Sequence, residues 1–145
     1  MVLQIFCDGG ARGNPGPAAV GVVIKNEKGD VLFSAGKYIG ETTNNQAEYQ
    51  AVIFALEKAK ELGGRELEFS LDSELVVRQL NGEYKVKNPE LAQQYLKIWN
   101  RRQKFRRVEF RHVYREENKM ADRLVNEALD GAVFSAKGIG QNRTE

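Results

Sequence analysis

The sequence predicts a mixed α/β domain on a five-stranded sheet, three antiparallel strands followed by two parallel ones, with helices packed against it. Three observations carry that expectation. Alternating apolar runs with short, turn-rich links fill the stretch before Thr43; the apolar period becomes helical from Thr43; and a new alternating run, Leu67 to Leu71, follows that helix.

The first strand is expected over about Val2 to Cys7, and the glycine- and proline-rich stretch after it places Asp8 at the strand's end. Strands at Ala19 to Lys25 and Val31 to Ile39 follow, with Asn26, Gly29 and Asp30 as hairpin chemistry between them. Short links between three consecutive strands imply an antiparallel meander.

Thr43 or Asn44 is placed to cap a helix whose apolar residues recur through Val52, Phe54, Ala55, Ala59 and Leu62, and Gly63-Gly64 ends it. Leu67 to Leu71 stops at a second acid, Asp72. A strand, a helix and a strand in that order make a crossover to a parallel neighbour. Ser73 to Leu80 reads as a short helix ended by Asn81-Gly82, and Pro89 is placed to open another. Leu91, Tyr95, Ile98 and Trp99 recur at helical spacing there, which assigns Trp99 to the core. Val108 to Tyr114 alternates as the last strand and Glu117 to Asp130 as the last helix.

At 145 residues, 41% hydrophobic and 29% charged, the chain suffices for one core and is short for two ordinary domains. We expect one domain over residues 1–130 and a tail over 131–145, on which Phe134 and Ile139 could dock. No apolar run approaches the roughly 18 residues a membrane span needs, and the N-terminus lacks the order of a signal peptide. A cytoplasmic, membrane-free monomer is expected. One cysteine, Cys7, and one histidine, His112, exclude a disulfide framework and a Cys/His zinc site. Any metal must be held mostly by oxygen.

Charge is unevenly spread. Residues 41–74 hold eight acids against three bases, and residues 101–123 hold nine bases against four acids. That polarity suits a cation site beside a surface for a polyanion, with ordinary solvated faces as the alternative.

Four acids stand out by position. Asp8 and Asp72 each close a strand, and the crossover brings both to one carboxyl edge of the sheet, where ligands bind in open α/β folds. Each is out of step with the apolar residues of its own strand, so both leave the same face. Glu48 heads the stripe Val52, Ala55, Ala59 and Leu62, and Asp122 precedes Val125 and Leu129 in the same way. An acid in line with a core stripe is costly unless paired or metal-bound. Singly each has a structural role available, as turn residue, cap or charge near a helix N-terminus. Four such placements converging on one edge suit magnesium or manganese, hard ions that accept phosphate oxygens. Two such ions roughly 4 Å apart support phosphodiester hydrolysis.

These residues resemble the type 1 ribonuclease H family, enzymes that cut the RNA strand of RNA–DNA hybrids. DGGARGNPGPAAVGVVI, TTNNQAEYQAVIFAL, LDSELVVRQL, VKNPEL and HVYREENKMADRLVNEAL match its segments in order over nearly the whole chain. The resemblance implies a ribonuclease H-like fold, with Asp8, Glu48, Asp72 and Asp122 as the four metal-binding acids and two magnesium or manganese ions. It implies cleavage to a 3′-hydroxyl and a 5′-phosphate. Asn14, Asn44 and Asn45 match positions that read the hybrid's minor groove and 2′-hydroxyls, with backbone around Gly10 and Ala11, and Thr43 and Asn88 match a pocket for a DNA-strand phosphate.

The sequence departs from the family's pattern at four points. Glu41 replaces an arginine of that pocket in some members, and Glu74 stands where glutamine or an apolar residue is common. Only Asn81 to Asn88 separates the two middle helices, so a basic protrusion is absent, as is a separate hybrid-binding domain. Arg101, Arg102, Lys104, Arg106 and Arg107 are a substitute phosphate surface, with a solvated helix end as the alternative. For the family's mobile histidine, counting back without gaps selects His112, whereas strand alternation keeps His112 in the last strand and brings Arg115 nearest the metals. Arg115 is the preferred candidate; arginine cannot serve as a base near neutral pH and would steer phosphate. The alternatives are another nuclease of this fold acting on double-stranded RNA or DNA junctions, and a spent hybrid-binding module.

Overall fold

A computed structural model describes the backbone of residues 1–142 and the side chains of residues 1–132. Its sheet has five strands in the order β3-β2-β1-β4-β5, with β1 Val2–Ala11, β2 Gly16–Lys25, β3 Val31–Thr42, β4 Glu66–Leu71 and β5 Arg107–His112. The first three pair antiparallel, while β4 runs parallel to β1 and β5 parallel to β4. The helices are α1 Asn44–Glu61, α2 Glu74–Leu80, α3 Pro89–Arg102 and α4 Lys119–Asn142, with a single 3-10 turn at Arg115–Glu117. The predicted fold class is the observed one.

Local chemistry sets the boundaries. Thr43 Oγ1 accepts from the Gln46 N–H and starts α1, Ser73 Oγ does the same for α2, and Asn88 Oδ1 takes the Glu90 and Leu91 N–H groups ahead of Pro89 in α3. Gly63 and Gly82, both at φ +78°, let the chain leave α1 and α2.

Leu3, Ile5 and Cys7 of β1, Val20, Val22 and Ile24 of β2, and Leu67 and Phe69 of β4 pack against the buried side of α1, and this is the main core. On the other face α4 lies across β1, β2 and β3, where Val125 and Leu129 meet Ala19 in a smaller core. Both helices approach glycine. A Cβ at Gly9 would overlap the Ala47 carbonyl group and the Glu48 nitrogen of α1; one at Gly21 would overlap the Ala121 oxygen of α4, and one at Gly36 the Leu124 oxygen. Gly21 lies opposite Asp8 on one side and Gly36 on the other, so Asp8, Gly21 and Gly36 form one row across the sheet.

Three expectations are corrected. Asp8 does not end β1, which continues to Ala11 because its hairpin with β2 persists to Ala11 opposite Ala18; what ends near Asp8 is the parallel pairing with β4, last seen at Phe6 opposite Ser70. Trp99 is 48% exposed: Leu91 and Ile98 supply the buried side of α3, Trp99 is turned off that stripe, and the Arg102 guanidinium lies 5.4 Å from its ring centroid. The last helix passes the expected limit at Asp130 and runs to Asn142, because Gly131 takes no positive φ and stays within it, so the proposed boundary at 130/131 cuts a continuous helix. The proposed docking of Phe134 and Ile139 lies outside the described side chains. Among the described residues no helix is long and apolar enough to cross a membrane.

Gly21→Ala should destabilise the protein by about 1–3 kcal/mol, since a methyl there pushes on helix backbone that cannot yield as a side chain would. Gly131→Ala, where a Cβ meets nothing within 4 Å, should stabilise by about 0.5–1 kcal/mol through helix propensity. Urea unfolding midpoints of the two variants test this pair.

Candidate active site

The carboxylates arrive from four elements. Asp8 projects from β1 in the row of Gly21, Asp72 follows the last residue of β4, Glu48 sits in the second turn of α1, and Asp122 in the first turn of α4. The helix approach over Gly9 brings Glu48 to the sheet from one face, and the approach over Gly21 and Gly36 brings Asp122 from the other. All four line one open cleft together with Gly10, Ala11, Asn44 and Arg115. Asp8, Glu48 and Asp72 each present an oxygen with all three atoms within 4.8 Å of one another.

Such crowding is electrostatically unfavourable. Burial, then the charges of Asp72 and Asp122 and a hydrogen bond with Asp122, push the Asp8 carboxyl up to about 7, against a lowering by the Gly9 N–H. Burial, then the charges of Asp8 and Asp72, push Glu48 up to about 8, against a hydrogen bond from Ser73 and the positive charge of Arg115. The Cys7 thiol, buried behind them, is raised well above its usual value by burial first and by the acids second, which leaves it unreactive. An all-oxygen set that holds protons near neutrality fits a hard divalent cation, because the cation replaces those protons and satisfies the charge.

Further residues set this geometry without drawing notice in the sequence. Asn118, 1% exposed, donates from Nδ2 to the Cys7 carbonyl at 3.0 Å, and its own carbonyl accepts the Asp122 N–H, so it ties the strand at Asp8 to the start of α4. Among the described residues its Oδ1 has no partner. Asn126 reaches the Asp122 carboxylate at 3.4 Å, one turn further along α4. The available signals were an asparagine one turn before Asp122, another one turn after it, and a serine beside Asp72.

The asparagines hold the loop after β1. Asn14 Oδ1 accepts the Asn44 N–H at 2.9 Å, and Asn44 Oδ1 accepts the Ala11 N–H at 2.8 Å. With both acceptor oxygens engaged, the two side-chain amides offer N–H donors outward. Asn45 is half-buried on the first turn of α1, and Thr43 and Asn88 cap α1 and α3. His112 closes β5 with its ring edge-on to Tyr114 at 5.6 Å and is not among the cleft residues. Arg115 is.

The basic cluster is placed away from this cleft. Arg107 begins β5 opposite Glu66, the start of β4, whereas Asp72 follows its end, about 20 Å along the strands. Arg107 pairs with Glu66 and Glu109, and Arg101 with Glu57. Arg102 stacks over Trp99 and Phe110. A solvated, internally paired face is the reading this arrangement supports for the cluster. Glu74 is likewise held by Arg78, through Nε at 3.0 Å and Nη2 at 2.9 Å.

The chain is similar in sequence and fold to known proteins. A family model described as reverse transcriptase-like matches residues 6–128. The N-terminal RNase H domain of a bifunctional protein of Mycobacterium tuberculosis is 43% identical, with 93% of this chain and 98% of that one aligned at a TM-score of 0.89. LC11-RNase H1, solved in complex with RNA/DNA hybrid, is 50% identical, with 90% of this chain and 99% of that one aligned at 0.87. A ribonuclease HI of Halobacterium salinarum is 43% identical over 130 residues, covering 90% of this chain and 65% of the relative. The chain spans 38% of the length of the full-length mycobacterial proteins.

The raised carboxyl groups make stability depend on pH. Their unfolded counterparts titrate near 4, so between about pH 4 and 8 the folded protein binds more protons than the unfolded chain and loses stability as pH rises. Without divalent cations the unfolding free energy should fall by about 2–4 kcal/mol from pH 5 to pH 8.5. Asp8→Asn should flatten that fall, and added magnesium should restore stability at pH 8.5 but not at pH 5. Urea titrations with chelator or magnesium measure both effects.

Proposed function

The chain belongs to the type 1 ribonuclease H family, and on that premise we propose that it is an endonuclease hydrolysing the RNA strand of RNA–DNA hybrids. The observation that carries the reading is the convergence of Asp8, Glu48 and Asp72 within 4.8 Å, with Asp122 lining the same open cleft.

Asp8 is central: it lies among Asp72, Asp122 and Glu48, so these four carboxylates would together hold the divalent cations. Glu48 and Asp72 complete one side of the set and Asp122 the other. Two magnesium or manganese ions, when bound, supply the Lewis-acid chemistry of the reaction, activation of water on one side of the phosphodiester and stabilisation of the leaving oxygen on the other, to give 3′-hydroxyl and 5′-phosphate ends. Asn126 holds the Asp122 carboxylate, so that group is already ordered when substrate arrives.

Arg115 is the cleft cation beside Glu48. Its planar guanidinium fork suits it to draw in the scissile phosphate and offset charge on it rather than to move a proton. His112, on the strand and against Tyr114, is left with a structural role.

The hybrid is selected by the loop after β1. Gly10, Ala11 and Asn44 line the cleft and Asn14 is bonded to Asn44, which supports a role for these residues and the neighbouring Asn45 in reading a 2′-hydroxyl, the group that separates RNA from DNA. Thr43 and Asn88 bind a DNA-strand phosphate, weakly because Glu41 adds a negative charge near that position. A cytoplasmic monomer is the state we propose, with double-stranded RNA as the alternative substrate to be tested beside the hybrid.

Labelled RNA–DNA, RNA–RNA and DNA–DNA duplexes incubated with magnesium, manganese or chelator test the reading. Cleavage should be confined mainly to the hybrid's RNA strand and vanish with chelator, and Asp8→Asn should lower the rate by about 10³-fold or more. A hybrid left intact in magnesium and manganese would remove the proposal. Arg115→Ala should lose more turnover than His112→Ala; the reverse order would return the loop role to the histidine.

A further inference from the structure

Two arginines line the cleft, and the reading above uses only one. Arg115 stands beside Glu48. Arg12 belongs to the other end, where the cleft is bounded by Val125, Asn126 and Leu129 of α4. Its ion-pair partner is not one of the four acids but Asp130, at 2.7 Å from Nη1. Asp130 lies eight residues beyond Asp122 on the same helix, about 12 Å along its axis.

The backbone at Arg12 is fixed, and the tip of its side chain is paired. The Arg12 N–H donates to the Pro17 carbonyl at 2.8 Å, Gly13 turns the chain at φ +100°, and Gly16 packs so closely on the Arg12 carbonyl that a Cβ there would overlap it. Asn14, within the same turn, is bonded to α1. At the tip, Asp130 takes one of the five guanidinium N–H groups and leaves the rest of the fork for another acceptor. With side chains 43% and 68% exposed, the pair contributes little to stability, so its consequence is the direction in which Arg12 is held.

A cleft lined by four carboxylates repels a polyanion except where cations interrupt it. A strand laid along the cleft would have two cations to offset its charge, Arg115 beside Glu48 and Arg12 beside α4. We infer that Arg12 grips a phosphate of the cut strand flanking the scissile one, on the α4 side of the cleft, and that Asp130 is the positioning residue that keeps its guanidinium extended there. The inference rests on hybrid cleavage being the activity.

Steady-state hybrid cleavage by the full chain across a salt series tests it. Arg12→Ala should raise KM by about five- to tenfold with kcat changed by less than about twofold, and the fall of log kcat/KM with log salt should become shallower by about one phosphate's worth. Arg12→Lys should retain the wild-type slope. Asp130→Ala should raise KM when Arg12 is present and have no effect in the Arg12→Ala background. Wild-type KM and slope in Arg12→Ala would overturn the role of Arg12. An Asp130→Ala effect that is absent, or equal in both backgrounds, would overturn that of Asp130. Failure of the unaltered protein to cut the hybrid would instead count against the functional reading.

Discussion

The active cleft depends on how closely two helices approach the sheet. A helix resting on side chains is kept away by their bulk, as interaxial separations of about 8–10 Å between packed helices show. Here α1 presses on Gly9 and α4 on Gly21 and Gly36, all within or beside one row of strand residues that includes Asp8. Removing three side chains lets helix backbone touch strand backbone. Glu48 and Asp122 are carried in with it, one from each face, onto a carboxylate that the sheet already holds.

That closeness has an electrostatic cost. Burial and mutual repulsion push Asp8 up to about 7 and Glu48 to about 8, so near neutrality the bare site is partly protonated and strained. The surrounding contacts offset the strain only in part: the Gly9 N–H for Asp8, Ser73 and Arg115 for Glu48, Asn126 for Asp122. Asn118, bonded to the Cys7 carbonyl with Nδ2 while its own carbonyl receives the Asp122 N–H, links strand and helix where repulsion would part them. On the proposed function, a site that destabilises its own fold until cations arrive suits the chemistry, since the same repulsion would become affinity for the ions.

Much of this was legible in the sequence. Caps at Thr43, Ser73 and Asn88 and glycines at 63 and 82 gave the helix limits, and strand alternation gave the sheet and the phase of Asp72. The strand–helix–strand order placed the acids at one edge. What escaped depended on tertiary partners. Glycines 9 and 10 read as turn residues because local chemistry does not reveal that β2 pairs with them, so β1 was cut short at Cys7. Gly21 and Gly36 carry no local sign of the helix that lies on them. Trp99 fits a helical stripe by spacing, yet α3 packs mainly on α1 and has too narrow a buried side to include it. The charges of residues 101–107 suggested a phosphate surface because their acidic partners, Glu57, Glu66 and Glu109, are assembled only by the fold.

The most direct test is at a residue that touches no acid. Gly36 lies two strands from β1, and the first thing a methyl there would strike is the Leu124 carbonyl of α4. The rate of hybrid cleavage by Gly36→Ala at saturating manganese, measured where circular dichroism shows the variant folded, should fall at least about tenfold as Asp122 is lifted from Asp8. A folded Gly36→Ala protein that cuts at the full rate would contradict the account.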